Sequence, residues 1–181
     1  MRRGRPTPRD WKRAGWIERA VGAVNVQVQA LGASSTLEDV NQFGDPGLLV
    51  IIDPATINGA ASNVIIQAHN DVEFNDAVSM SGLGVALTAE AGKSIRVSAD
   101  ISTNDGEVRL FANQPTVSGV DPLLRMPGAA ELAMDPGTVI TAGAANVFLR
   151  IGNGMGHDGT SGDITLANVA AANISIVQEG V

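Results

Sequence analysis

The hydrophobic pattern of this chain is short, alternating and recurrent. "VIIQA" begins at Val64, "VALTA" at Val85 and "VRLFA" at Val108, and each fits V-x-[IL]-x-A, at spacings of 21 and 23 residues. Between them "VEF" (72–74) corresponds to "IRV" (95–97), and Val78 corresponds to Ile101, both at a shift of 23. Alternation such as Ile95-Arg96-Val97 or Ile174-Ser175-Ile176 marks a strand with one buried face. A unit of this length holding three such strands cannot bury that face alone. It can do so if each strand stacks about 4.8 Å above its equivalent in the preceding turn of the chain. The pattern therefore predicts an all-β fold, a right-handed parallel β-helix of about six coils of ~19–23 residues spanning 25–181. Its core columns are read as Val64/Val85/Val108, Ile66/Leu87/Leu110 and Ala68/Ala89/Ala112.

The same template extends more loosely on both sides. "VQVQA" (26–30) lies 38 residues before Val64 and "VFLRI" (147–151) 39 after Val108, each read as two coils away. "ITLAN" (164–168) and "NISIV" (173–177) align with "VALTA" and "SIRV". Residues 43–61 read as a strand between two Asp-Pro breaks, and residues 113–137, with four prolines, as a loop bulging from one coil. Near the start, "PRDWKRAGWIERAVG" has helical spacing through Trp16, Ile17 and Ala20, which suits a short capping helix on an otherwise unordered head, residues 1–24.

Composition fits this reading. The chain is 44% hydrophobic but only 3% aromatic, without tyrosine, so its interior is built from stacked aliphatics. The 21 glycines and scattered Asn and Asp supply left-handed backbone at the corners. With no cysteine, disulfides, thiolate metal sites and cysteine nucleophiles are excluded. The net charge of -7 is uneven: residues 1–20 hold seven basic and two acidic residues, the remainder five basic and 17 acidic. An acidic body repels phosphate backbones, so nucleic acid is not an expected partner. No segment approaches the ~20 apolar residues of a membrane-spanning helix, so no membrane insertion is expected, and no export signal is recognised.

Several groups invite a chemical reading. From Gly154 the letters of "GNGMGHDG" (Gly152–Gly159) satisfy G-x-G-x-x-G, and Glu179 lies 20 residues beyond Gly159, where a dinucleotide site keeps its ribose-binding acid. That site requires a helix opening in the glycines. Gly162, Ile164, Thr165 and Val169 favour strand instead, and the stretch is read as a turn. No Lys precedes Thr160-Ser161 as a phosphate loop would need. A calcium-roll match through Gly154, Gly156 and Asp158 stands alone rather than in tandem, so only a weak contact through Asp158 or Asp163 is conceivable. On the outer face, Asp71, Glu73, Lys93, Arg96 and Asp100 are the groups from which a polysaccharide lyase or hydrolase would draw its acid, base and cation. The register puts Glu73 beside Arg96, and the simpler reading is a cross-strand ion pair. His69 and His157 are read as solvated turn residues, and Asn63, Asn70, Asn104, Asn113 and Asn146 as turn formers, some in ladders between coils. No catalytic, metal-binding or cofactor residue is assigned, and no cofactor is expected.

The run from "DPATINGAASNVIIQAHNDVEF" through "VSADISTNDGEVRLFAN", together with "SGDITLANV", resembles the repeat shaft of filamentous-haemagglutinin-type bacterial surface adhesins over roughly residues 45–181. The family's secretion domain and its motifs are not recognised. The resemblance implies a segment of a longer, non-catalytic adhesive protein at the cell surface or outside the cell, serving adhesion and biofilm formation. It also implies host or extracellular glycans and proteins as partners. A carbohydrate-active enzyme on the same scaffold is the alternative. A self-assembling filament is another, because "NISIVQEGV" offers open strand edges for end-to-end association.

Overall fold

A computed structural model describes residues 24–40, 43, 48–157 and 160–180. The basic head and its proposed capping helix, residues 1–23, lie outside the described residues, as do Asp158 and Gly159. The fold is all-β, with three sheets in which every pairing is parallel. Sheet A runs β2 (Leu49–Ile52), β1 (Asn25–Val28), β4 (Val72–Phe74), β7 (Ile95–Val97), β10 (Ala130–Met134), β13 (Ser161–Thr165). Sheet B runs β3 (Val64–Ala68), β6 (Leu87–Ala91), β9 (Val108–Ala112), β12 (Asn146–Ile151), β15 (Asn173–Gln178). Sheet C runs β5 (Val78–Leu83), β8 (Ile101–Asn104), β11 (Val139–Thr141), β14 (Asn168–Ala170). From β3 onward each circuit of the chain adds one strand to sheet B, then A, then C, which is the arrangement of a β-solenoid. Each such circuit is a rung.

The inward residues stack as columns. In sheet B, Val64, Leu87, Val108, Val147 and Ile174 lie in register, as do Ile66, Ala89, Leu110, Leu149 and Ile176. In sheet A the column Val28, Phe74, Val97, Met134 contains the widest side chain of the core. These columns differ by two residues from the expected ones in the second rung. Val64 stacks on Leu87, not Val85, and Ala68 on Ala91, not Ala89. The reason is that all three strands of that rung advance by the same step: Val64 to Leu87, Val72 to Ile95 and Val78 to Ile101. A slip of two keeps every residue on its own face, so hydrophobic pattern alone does not expose it. Val85 instead fills a corner. There its carbonyl lies so close to Gly106 that a Cβ on that glycine would sit 1.9 Å from the oxygen.

Three further expectations are corrected. β12 is one rung beyond β9, not two, because residues 113–129 are inserted within the rung. β1 does not lie in the sheet of β3; Val26 pairs with Val72 in sheet A. Ile164 and Ile174 likewise belong to sheets A and B, beside Leu132 and Val147. Letters matched across these segments because all are short alternating strands. The expected left-handed corners are present: Gly84, Asp105 and Gly143, with φ of 71°, 57° and 56°, occupy the same corner between sheets C and B on successive rungs. Asp105 also accepts the amide of Ala144 through Oδ1 at 2.7 Å, tying one corner to the next.

The end of the solenoid next to β1 is covered. After β1 the chain turns back and lays β2 on its outer edge. Asp53 then caps a short helix α1 (Pro54–Asn58), accepting the Ala55 amide at 2.8 Å, with Pro54 in the first turn where its missing N–H costs nothing. This helix was not foreseen in the 43–61 segment. Asn58 accepts the Ser79 amide at 2.7 Å, so α1 closes the edge of β5, while Val40 accepts from Gln67 N and closes β3. Val26, Val28, Ile52 and Ile57 are consequently fully buried.

Candidate functional site

The outer face of sheet A carries the acidic and basic residues flagged in the sequence. Alternation turns Val72, Phe74, Ile95 and Val97 into the core, which sends Asp71, Glu73 and Arg96 outward, with Lys93 at the corner. Together with Ser94 and Glu131 they line a groove of about 160 Å³. Asp100 is not part of it. Its carboxylate sits at the next corner and accepts the Val139 amide at 2.8 Å, a link between rungs.

Glu73 and Arg96 are register partners as expected, but they do not form the expected ion pair. Glu73 accepts from Gln27 Nε2 at 2.8 Å on one side. Arg96 reaches the other way, to Asp135 Oδ1 at 2.8 Å and Ser98 Oγ at 3.2 Å. Each therefore bonds across to a different rung. This is a solvated polar ladder of the kind worth a few tenths of a kcal/mol per pair.

Asp71 is a partly buried carboxyl of the groove. Its oxygens accept from Ser94 N at 3.0 Å and from Asn70 Nδ2 at 2.7 Å. Burial pushes its carboxyl above the ordinary aspartate range, and neighbouring Glu73 adds to the rise. The Ser94 amide, Lys93 and Arg125 pull the other way without cancelling it. A carboxyl whose folded pKa is raised binds its proton more tightly in the native state. Its contribution to stability is therefore present at low pH and lost as pH rises from the unfolded value through the folded one. Carboxyl NMR titration should accordingly place the Asp71 midpoint above that of a free aspartate; a midpoint at or below it would refute the burial argument.

The segment 113–129 forms one rim of this face. It does not bulge away from the solenoid, and the expected loop ends early because 130–134 is strand β10. It folds back on the corner between sheets B and A. Arg125, only 5% exposed, donates to the carbonyls of Gly92, Met126 and Gly128 at 3.2, 2.6 and 2.9 Å. Met126 N donates to Asn70 Oδ1 at 3.1 Å, and Asn70 in turn holds Asp71. His69, expected in solvent, is 3% exposed and accepts the Asp121 amide through Nδ1 at 2.9 Å. Asn70 and Asn113 are buried too, whereas Asn63 and Asn104 are exposed corner residues bonded to Ala86 N and Ser81 O. Asn146 forms the expected ladder, accepting from Asn173 Nδ2 at 2.9 Å.

Within the glycine-rich stretch, Met155–His157 form a turn. Gly152 and Gly154 pack against Asn113, and strand β13 begins at Ser161 where a nucleotide site would need a helix. His157 is half-buried, with Nε2 2.7 Å from the Gln114 carbonyl, not in open solvent. Glu179 lies 3.7 Å from Arg150 and is committed to sheet B. Asp163 is exposed on β13. Among the described residues no group of three or more His, Cys, Asp or Glu is arranged to hold a metal ion, and no helix is long and apolar enough to cross a membrane.

Glu131 was missed because β10 follows an insertion that hides its register; Ser94, just before β7, is a small polar residue of a kind the sequence carries throughout. The outer face of sheet B was missed as well. There Arg109 lies over Phe148 at 5.4 Å and Arg150 over Phe111 at 4.8 Å, a crossed pair of cation–π contacts. "VRLFA" and "VFLRI" do spell this, since their outward letters are interchanged. No protein-family model matches the chain, and neither the curated proteins nor the solved structures compared with it give a match.

Proposed function

We propose that the chain is a shaft segment of a surface-exposed, adhesin-like structural protein, a right-handed β-helix of about six coils whose role is mechanical and adhesive. The observation that carries this reading is the run of inward aliphatic columns through sheet B, from Val64 to Ile174 and from Ile66 to Ile176. Stacking of this kind builds a stiff body whose outward side chains are free to make many weak contacts that add through avidity. The groove over sheet A supports a polyhydroxyl partner such as an extracellular glycan. Its carboxylates accept and its Lys93 and Arg96 donate hydrogen bonds, at a corner fixed by the 113–129 segment. Binding to a glycan panel that weakens with Arg96→Ala, without turnover, is the expected result. Absence of binding to every glycan, together with a compact scattering profile, would remove the reading.

A second reading, a carbohydrate-active enzyme, is favoured by one observation: the Asp71 carboxyl, raised by burial, stands near Glu73 and Lys93 in the same groove. A carboxyl whose pKa burial raises, with a second carboxyl in the same groove, is the kind of arrangement from which glycoside chemistry draws its acid. Polysaccharide cleavage abolished by Glu73→Ala would establish it in place of the adhesive role.

A further inference from the structure

The chain enters the described fold at Val24, and this entry point is held in place. The Val24 carbonyl accepts the Asn70 amide at 2.8 Å, and Asn25 Oδ1 accepts Asn70 Nδ2 at 2.9 Å and the Asp71 amide at 3.3 Å. Large apolar side chains stand in solvent on both sides of it. On one side Leu48 and Leu49 are 73% and 50% exposed; the Leu48 carbonyl accepts the Asn25 amide at 3.2 Å, and Leu49 is the register partner of Asn25. On the other side Leu123 and Met126 are 81% and 58% exposed, on the turn that the Asp121 and Met126 amides fasten to His69 and Asn70. Scattered apolar side chains are ordinary on a protein surface; four gathered around one point mark a contact.

Charge narrows what can cover this patch. Asp71, Glu73 and Glu131 line the groove that begins at the same corner. Lys93 shares the groove, but Arg96 is turned away to Asp135, and among the described residues Glu73 and Glu131 form no ion pair. A segment that suits this surface is basic, carries large apolar side chains and reaches the corner. Residues 1–23, outside the described residues, meet each condition. Residues 1–20 hold seven basic against two acidic side chains, together with Trp11, Trp16 and Ile17. Trp16 is eight residues from Val24, a span of about 12 Å as helix and about 27 Å extended. Two hydrogen bonds through Asn70 join Val24 to Met126, so either span is enough.

We infer that this corner is the docking surface for the chain's own basic head, residues 1–23. Trp11, Trp16 and Ile17 cover Leu48, Leu49, Leu123 and Met126, and the basic side chains face the carboxylates of Asp71, Glu73 and Glu131. Tethering favours this occupant over any other. A short linker presents the head at an effective concentration of about millimolar, whereas a second copy offers the same segment only at its bulk concentration. A contact too weak to hold two molecules together therefore suffices within one. This docking is independent of what the groove binds.

Tryptophan fluorescence of the full chain tests it. Trp11 and Trp16 are the two tryptophans of the sequence, so the emission reports on the head alone. The expected result is emission blue-shifted, and less accessible to acrylamide, relative to a synthetic peptide of residues 1–23, by an amount independent of protein concentration. Leu48→Ser combined with Leu123→Ser should return the emission to that of the peptide with unchanged β circular dichroism, since both side chains stand mostly in solvent. Leu83→Ser, equally exposed but on β5 of sheet C, should leave the shift intact. Salt at about 1 M, where the screening length is about 3 Å, should reduce it. Emission equal to that of the peptide overturns the inference, as does a blue shift that survives the double substitution. A shift that grows with protein concentration also overturns it, in favour of docking between copies.

Discussion

Arg125→Met is expected to detach the 113–129 segment from the solenoid and to cost about 3 kcal/mol, the range for hydrogen bonds donated by a buried charged group. Arg125 is the common anchor of that segment. Its guanidinium satisfies the carbonyls of Gly92, Met126 and Gly128, and Asn113 Oδ1 lies 3.5 Å away. Methionine fills much of the volume but donates nothing, so these oxygens are left desolvated. Limited proteolysis should then cut within 120–129, the part of the segment that this anchor, His69 and Asn70 hold against the solenoid. Chemical denaturation reads the stability change. Unaltered protease resistance would show that the His69–Asp121 and Asn70–Met126 bonds suffice without the arginine.

The second large effect is expected in the core. Phe74 is fully buried in a column of Val28, Val97 and Met134. Truncation to alanine removes a ring from the widest layer, where neighbours are held by backbone ladders above and below and cannot close in. Phe74→Ala should cost ~3–5 kcal/mol. For a domain of this size that corresponds to a fall in melting temperature of about 6–20 °C, at 2–4 °C per kcal/mol. Phe74→Leu should recover most of it. A loss under about 1 kcal/mol for the alanine variant would mean that the layer collapses freely.

These two residues differ in how readily the sequence reveals them. Phe74 sits in "VEF", whose alternation and shift of 23 to "IRV" already place it inward in a stacked column. Nothing in the letters around Arg125 reveals its role, because its partners are backbone carbonyls from a turn 33 residues earlier and from its own loop. Histidine and asparagine were misread for the same reason. "AHND" has the composition of a solvated turn, yet His69 and Asn70 are covered by a segment more than 50 residues away. The groove was half visible. Asp71, Glu73, Lys93 and Arg96 followed from alternation. Glu131 did not, since the insertion broke the spacing, and Asp100 was wrongly included because an outward carboxylate can equally serve a corner amide.

What the sequence by itself determined is the stacking principle: strand-length alternation, a repeat near two dozen residues, few rings and many small turn formers leave parallel coiling as the way to bury one face of each strand. It also determined which residues face inward, since a period of two is unchanged by a slip of two. The tertiary structure alone decided the register of the second rung, the sheet to which β1, β13 and β15 belong, the closing of one end by β2 and α1, and the docking of the 113–129 segment. Each depends on contacts between segments far apart in the chain, made by backbone groups that every residue carries alike. Side-chain letters encode which face is buried; they do not encode which neighbour's carbonyl an amide will find.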